Sequence, residues 1–123
     1  MGKYIDGFVV PVPKKNMQAY RRMALKAGRV WREHGALEYV ECAADDVKPG
    51  KLTSFPQSVK LKPGETVVFS WIVYKSRAHR DEVNKKVMKE MNDPVNKEKY
   101  KDMPMPFDMK RFAYGGFKTI VEA

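Results

Sequence analysis

Residues 66–74, TVVFSWIVY, predict a strand that is apolar on both of its faces. Side chains alternate across a strand, so Val67, Phe69, Trp71 and Val73 project one way and Val68, Ser70, Ile72 and Tyr74 the other. In a small antiparallel sheet one face normally meets water. A chain with such a strand must therefore find cover for a second face. The opening segment, YIDGFVVPVP, makes the same demand: Ile5, Val9 and Pro11 oppose Tyr4, Phe8 and Val10. This first strand is read from Lys3 to Val12, and regular pairing is expected to fade at Pro11 and Pro13, which donate no ladder hydrogen bond.

Between these strands the period changes. Met17, Tyr20, Ala24, Ala27, Trp31 and His34 recur at spacings of three and four, the stripe of an amphipathic helix, with Arg21, Arg22, Lys26, Arg29 and Arg32 on its other faces. Gly35 supplies a left-handed stop. ALEYVECAAD alternates as a second strand. The polar stretch 45–64 holds Pro-Gly turns at 49–50 and 63–64, and SVKLK within it reads as a short accessory strand. Residues 65–75 form the third strand. Ser76 then caps a second helix whose buried stripe is Val83, Val87 and Met91. Residues 92–109 read as irregular, with one helical turn near 95–101. KRFAYGGFKTIVEA closes the chain as a fourth strand, in which Gly115 and Gly116 predict a bulge or a close backbone approach.

The order β-α-β-β-α-β predicts one ferredoxin-like α+β domain over residues 1–123. Four strands form one antiparallel sheet, the first and third central, with two helices on one face. The helices cover only that face. Bare apolar patches above a few hundred Å² are uncommon on monomers. The pattern therefore predicts a homodimer packed sheet to sheet, a dimeric α+β barrel, burying at least the ~1,200–2,000 Å² of a standard stable interface. The alternative is that 45–64 or 92–109 folds over the open face.

Composition narrows the class. The chain is 43% hydrophobic and 32% charged, a globular balance, and no apolar run approaches the ~20 residues of a membrane span. MGKYIDGF lacks the apolar segment of a secretory signal, and the lone Cys42 cannot form an internal disulfide, so the cytoplasm is the expected compartment. A formal net charge of +9 fits either an anionic partner or a lysine-rich solubilising surface; the spread of the basic residues along the chain favours the surface reading.

TSFPQSVKLKPGETVVFSWIVYKSRAHRDEVNKKVM, MPFDMKRFAYGGF and YIDGFVVPVP together resemble a bacterial family known as domain of unknown function 1428. The resemblance runs over nearly the whole chain. It implies the dimeric α+β-barrel form of the ferredoxin-like fold and no established activity. The wider barrel superfamily includes cofactor-independent monooxygenases, so an enzyme of that type is the alternative to a small-molecule binder; that step is fold-level analogy.

Candidate chemistry is sparse, and no catalytic residue can be assigned. His34 and His79 are the only histidines; with no CxxC or HExxH, neither a metal nor a cofactor is expected. His79 falls in the first turn of the second helix, where the dipole favours a neutral ring able to accept a proton; a capping role is the simpler reading. His34 reads as a helix C-terminal residue. Cys42 has no activating neighbour in sequence and is expected to be a buried, inert thiol. MPFDMKRFAYGGF sets Asp108 beside Lys110 and Arg111, with Tyr114 close by. The ligand-binding candidates are Tyr39, Trp71, His79, Asp108, Arg111 and Tyr114, with a pocket between sheet and helices drawing on Tyr39, Trp71, His79 and Tyr114. Ferredoxin-like sheets also bind RNA through aromatics on the central strands, here Tyr4, Phe8, Phe69 and Trp71. The basic-aromatic segment of that mode is missing, so nucleic acid is the weaker alternative.

Overall fold

A computed structural model describes residues 2–101 and 105–123. Four strands, β1 (Tyr4–Pro13), β2 (Glu38–Ala43), β3 (Glu65–Tyr74) and β4 (Ala113–Lys118), form one antiparallel sheet in the order β2-β3-β1-β4. The helices are α1 (Met17–Glu33), α2 (Phe55–Ser58), α3 (Arg77–Met91) and α4 (Pro94–Tyr100). The expected ferredoxin-like order and the central places of β1 and β3 are what the structure has.

The two long helices begin and end where local chemistry says they must. Ser76 Oγ accepts the His79 N–H at 3.1 Å, filling one of the orphan donors of α3. Beyond α1, Gly35 takes φ 113°, a left-handed angle that glycine adopts without steric cost.

The core between sheet and helices has two halves. Val10, Val12 and Val68 pack on Tyr20 and Ala24 of α1. Ile72 and Tyr74 pack on Val83 and Val87 of α3 and on Ala36. The even-numbered side chains of β1 and β3 thus face the helices. Burying each of these valine, isoleucine and tyrosine side chains contributes roughly 1.5–3 kcal/mol.

The opposite face is covered only in part. The segment after β2 folds back as α2, and Phe55 meets the Phe69 ring edge-on at 6.0 Å between centroids. Pro11, Val59 and Val67 are buried, while Phe69 stays 43% and Phe117 63% exposed. Across the four strands Val40, Trp71, Gly7 and Gly115 stand in one row. So the second apolar face of β3 receives one short flap from its own chain, and its centre lies open.

Several expectations are corrected. SVKLK is no strand: Ser54 caps α2, which has a proline in its first turn, and residues 59–60 turn away from it. Residues 92–109 are more regular than expected, carrying α4 with Asp93 as its cap; residues 102–104 lie outside the described part. Pairing of β1 with β3 does not fade but continues to Pro13 opposite Glu65. The prolines are tolerated because β4 pairs only as far as Val9, leaving one neighbour strand beside them. Gly115 and Gly116 stay in unbroken register with Gly7 and Asp6, so there is no bulge. Close approach is the reason for Gly116, where a Cβ would fall 2.8 Å from Tyr4 Cε2.

Candidate functional site

A groove lies between α1 and the edge strand β2. Gly28 makes the approach possible: a Cβ there would stand 2.8 Å from Tyr39 Cδ1, so only glycine lets the helix sit against that ring. Tyr39 and Glu41 are two residues apart on β2 and therefore share a face. Tyr39 Oη donates to Glu41 Oε2 at 2.8 Å, and Tyr20 Oη, arriving from α1, donates to Glu41 Oε1 at 2.6 Å. Burial raises the pKa of both phenols, and the Glu41 carboxylate raises it further. Both hydroxyls stay protonated donors, and the carboxylate is held at a fixed place in the wall.

The open groove has a volume of about 1020 Å³. Its apolar floor includes Met17, Ala24 and Val68, with Leu25 and Ala43 exposed at its edge, and α1 contributes Arg21, Arg22, Arg29 and Arg32. Ligand sites commonly combine such an apolar surface with a few fixed polar groups. Arg32 is partly committed, donating to the Ala36 carbonyl at 2.9 Å and also to the Leu37 carbonyl.

A second polar cluster is packed under α3. Arg80 Nη1 donates to the buried Asp6 Oδ1 at 2.8 Å, and its guanidinium lies over the Tyr4 ring, 5.0 Å from the centroid. Asn84 Oδ1 accepts from Trp31 Nε1 at 3.0 Å and from Tyr74 Oη at 3.3 Å. Burial raises the pKa of Asp6 above the ordinary carboxylate value, and Arg80 pulls it back. This cluster ties β1, β3, α1 and α3 together and acts as internal structure.

Of the six ligand-binding candidates named in sequence, only Tyr39 lines the groove. Trp71 is on the other face of the sheet, donating its Nε1–H to Glu38 Oε1 at 3.0 Å. His79 stays at the start of α3, its Nδ1 accepting the Lys75 N–H at 3.0 Å and its ring edge-on to Tyr74. Asp108 and Arg111 do meet, at 2.9 Å, and both belong to a latch with Glu65. Tyr114 is 73% exposed and stacks on Phe112 and Phe8. His34, at the end of α1, pairs with Glu90 at 2.9 Å. Cys42 is exposed rather than buried, because it lies on the edge strand β2, and it also lines the groove. Among the described residues no group of three or more His, Cys, Asp or Glu could hold a metal ion, and no helix is long and apolar enough to cross a membrane. Tyr20 and the α1 arginines were read in sequence only as faces of a helix, and Glu41 was not named as a site residue. The available signal was the Tyr39–Glu41 pair on one strand face, opposite a helix stripe of Tyr20, Ala24 and Gly28.

A family model described as "Protein of unknown function (DUF1428)" matches residues 3–109. "Uncharacterized protein YbaA" of Escherichia coli (strain K12) is 51% identical over 120 residues, 98% of each chain, and the Shigella flexneri protein of that name matches to the same extent. Two solved structures from uncultured marine organisms, each titled a dimeric ferredoxin-like protein, share the fold. One has a TM-score of 0.62 at 12% identity and covers 100% of both chains. The other has a TM-score of 0.56 at 10% identity, covering 100% of this chain and 98% of its own.

Proposed function

The chain belongs to the DUF1428 family of proteins of unknown function, and from that premise we propose that it is a homodimer whose protomers each bind a small molecule in the α1–β2 groove. The observation that carries the binding reading is the Glu41 carboxylate, fixed by two tyrosine hydroxyls in the wall of a groove with an apolar floor. A built polar group beside a ligand-sized apolar surface has more to offer a ligand than to the stability of an edge strand. The groove is open to solvent. An enzyme of monooxygenase type calls for an enclosed cavity, so binding stands ahead of catalysis. An exposed free thiol at Cys42 fits the reducing cytoplasm.

Self-association is supported by the open centre of the far sheet face, where Trp71 and Phe117 flank Gly7 and Gly115, and by the dimeric titles of the structural neighbours. A second copy placed on this face would remove both aromatics from water.

Two measurements test the reading. Thermal-shift screening against a metabolite library should find compounds that raise the melting temperature, since a ligand that binds only the folded state stabilises it. Ala43→Trp, which fills the groove from an exposed position, should abolish those shifts. Equal shifts in the variant would remove the groove from consideration. Sedimentation should give a dimer for the native chain and a monomer for Trp71→Glu; a native chain that sediments as a monomer throughout the micromolar range would end the dimer proposal.

A further inference from the structure

The charge of the groove walls narrows the ligand class. Four arginines line it against one carboxylate, Glu41. That carboxylate already accepts two tyrosine hydroxyls and makes no ion pair with the arginines. Among the described residues Arg21, Arg22 and Arg29 make no hydrogen bond or ion pair, and all three side chains are exposed at the rim. The only acidic residue of α1 is Glu33, which is not part of the groove. Arg21, Leu25 and Arg29 follow one another at four-residue intervals, so they form a single ridge along the groove with an apolar side chain between two cations.

We propose that the groove takes an amphipathic anion: a carboxylate or phosphate monoester carrying an aliphatic or aromatic body. This rests on the groove being the binding site. The anionic group would pair with the Arg21–Arg29 ridge, where a guanidinium offers two parallel donors to a carboxylate or phosphate. The apolar body would lie along Leu25, Ala24, Met17 and Val68. Glu41 in the wall repels a second anion, so a dianion with charges at both ends fits badly. A hydroxyl or amide donor reaching Glu41 fits well, because each of its oxygens still has a lone pair to give.

The test compares decanoate, decyl phosphate, decanol and decylamine by titration calorimetry, below their micelle concentrations, on the native chain, Arg29→Gln, Arg21→Gln/Arg29→Gln and Ala43→Trp. These arginines are exposed, so the substitutions leave the fold intact. Decanoate or decyl phosphate should bind, and decanol and decylamine should bind about tenfold or more weakly, the difference expected for one charge-assisted contact. Each arginine replacement should weaken the anion and leave decanol unchanged. The stronger of the two anions identifies the head group. Decanol binding as well as decanoate, and lost only in Ala43→Trp, would overturn the anion assignment while the groove stands. Anion binding that survives Ala43→Trp would mean mere attraction to a basic surface, and both readings would fall. If none of the four binds while library compounds do, the ligand class alone is wrong.

Discussion

The Arg111 guanidinium grips both oxygens of the Glu65 carboxylate, Nη1 to Oε1 and Nη2 to Oε2, each at 2.7 Å. Arg111 also donates from Nε to Asp108 Oδ2 at 2.9 Å and from Nη1 to the Lys60 carbonyl at 3.1 Å. One side chain thus ties the turn before β4 to the start of β3. The arginine hydrogen bonds lower the pKa of Glu65 below the ordinary carboxylate value, with help from the Lys62 N–H. A carboxyl group with a lowered folded value contributes stability above its unfolded value and loses it as pH falls through the folded one. Glu65→Gln should therefore be less stable than the native chain at neutral pH, by on the order of 1 kcal/mol. The gap should close in acid. Urea unfolding at neutral and strongly acidic pH checks this, and a gap of constant size would show that the carboxylate charge is not its source.

Asp6 has the opposite sign. Its burial raises its pKa, against the pull of Arg80 and the hydrogen bonds around it. A raised folded value contributes stability below the unfolded value and loses it as pH rises through the folded one. The stability of the native chain relative to Asp6→Asn should therefore fall as pH rises from acid to neutral, while that relative to Glu65→Gln grows. Asp6→Asn will still be the weaker fold by roughly 1–3 kcal/mol, because it leaves Arg80 without its buried partner. The informative quantity is the slope. Parallel slopes for the two variants would refute the assignment.

Much of the architecture could be read in the chain because local signals agreed with one another. Period-two alternation at 66–74, period 3.6 across α1 and the Ser76 cap all point to the same topology. The errors arose where two local signals competed. In SFPQSVKLK, the rarity of a long structureless loop suggested a strand, yet a serine cap followed by proline in the first helical turn is the stronger instruction. At Gly115–Gly116, glycine content alone could not tell a bulge from a close neighbour; that depends on where Tyr4 lies across the ladder. The exposure of Cys42 follows from β2 being an edge, a property of the whole sheet. The groove was half legible. Tyr39 and Glu41 share a strand face, but the Tyr20–Glu41 bond joins residues 21 apart through the packing of α1 on β2, which no local pattern encodes.

Gly28→Ala sets two known magnitudes against each other. Alanine in place of glycine inside a helix gains about 1 kcal/mol in propensity. The new methyl would stand 2.8 and 3.0 Å from the Tyr39 ring, and that ring is held by its hydroxyl at Glu41 and by contact with Trp31. Forcing a carbon into a packed contact costs roughly 1–3 kcal/mol. The net is a loss of about 1 kcal/mol in urea unfolding, accompanied by weaker ligand binding because Glu41 loses its fixed position. A stability gain would mean that the ring moves aside freely and that the groove wall is soft.

The cap of α3 separates two roles for His79. Ser76 Oγ accepts the His79 N–H, and His79 Nδ1 in turn accepts the Lys75 N–H, so the two side chains satisfy donors on either side of the helix start. The pattern is a variant of a capping box, with imidazole in place of a carboxylate and the returning bond taken from Lys75, the residue before the cap, and not from Ser76 itself. Ser76→Ala should cost about 1 kcal/mol, and His79→Ala somewhat less, since the Lys75 N–H is exposed and water can replace the ring. The double variant should cost less than the sum, because each bond orders the other. His79 is not among the residues lining the α1–β2 groove, so His79→Ala should leave ligand binding there unchanged. A lost cap with intact binding identifies a structural histidine; abolished binding with unchanged stability would move the functional site to the start of α3.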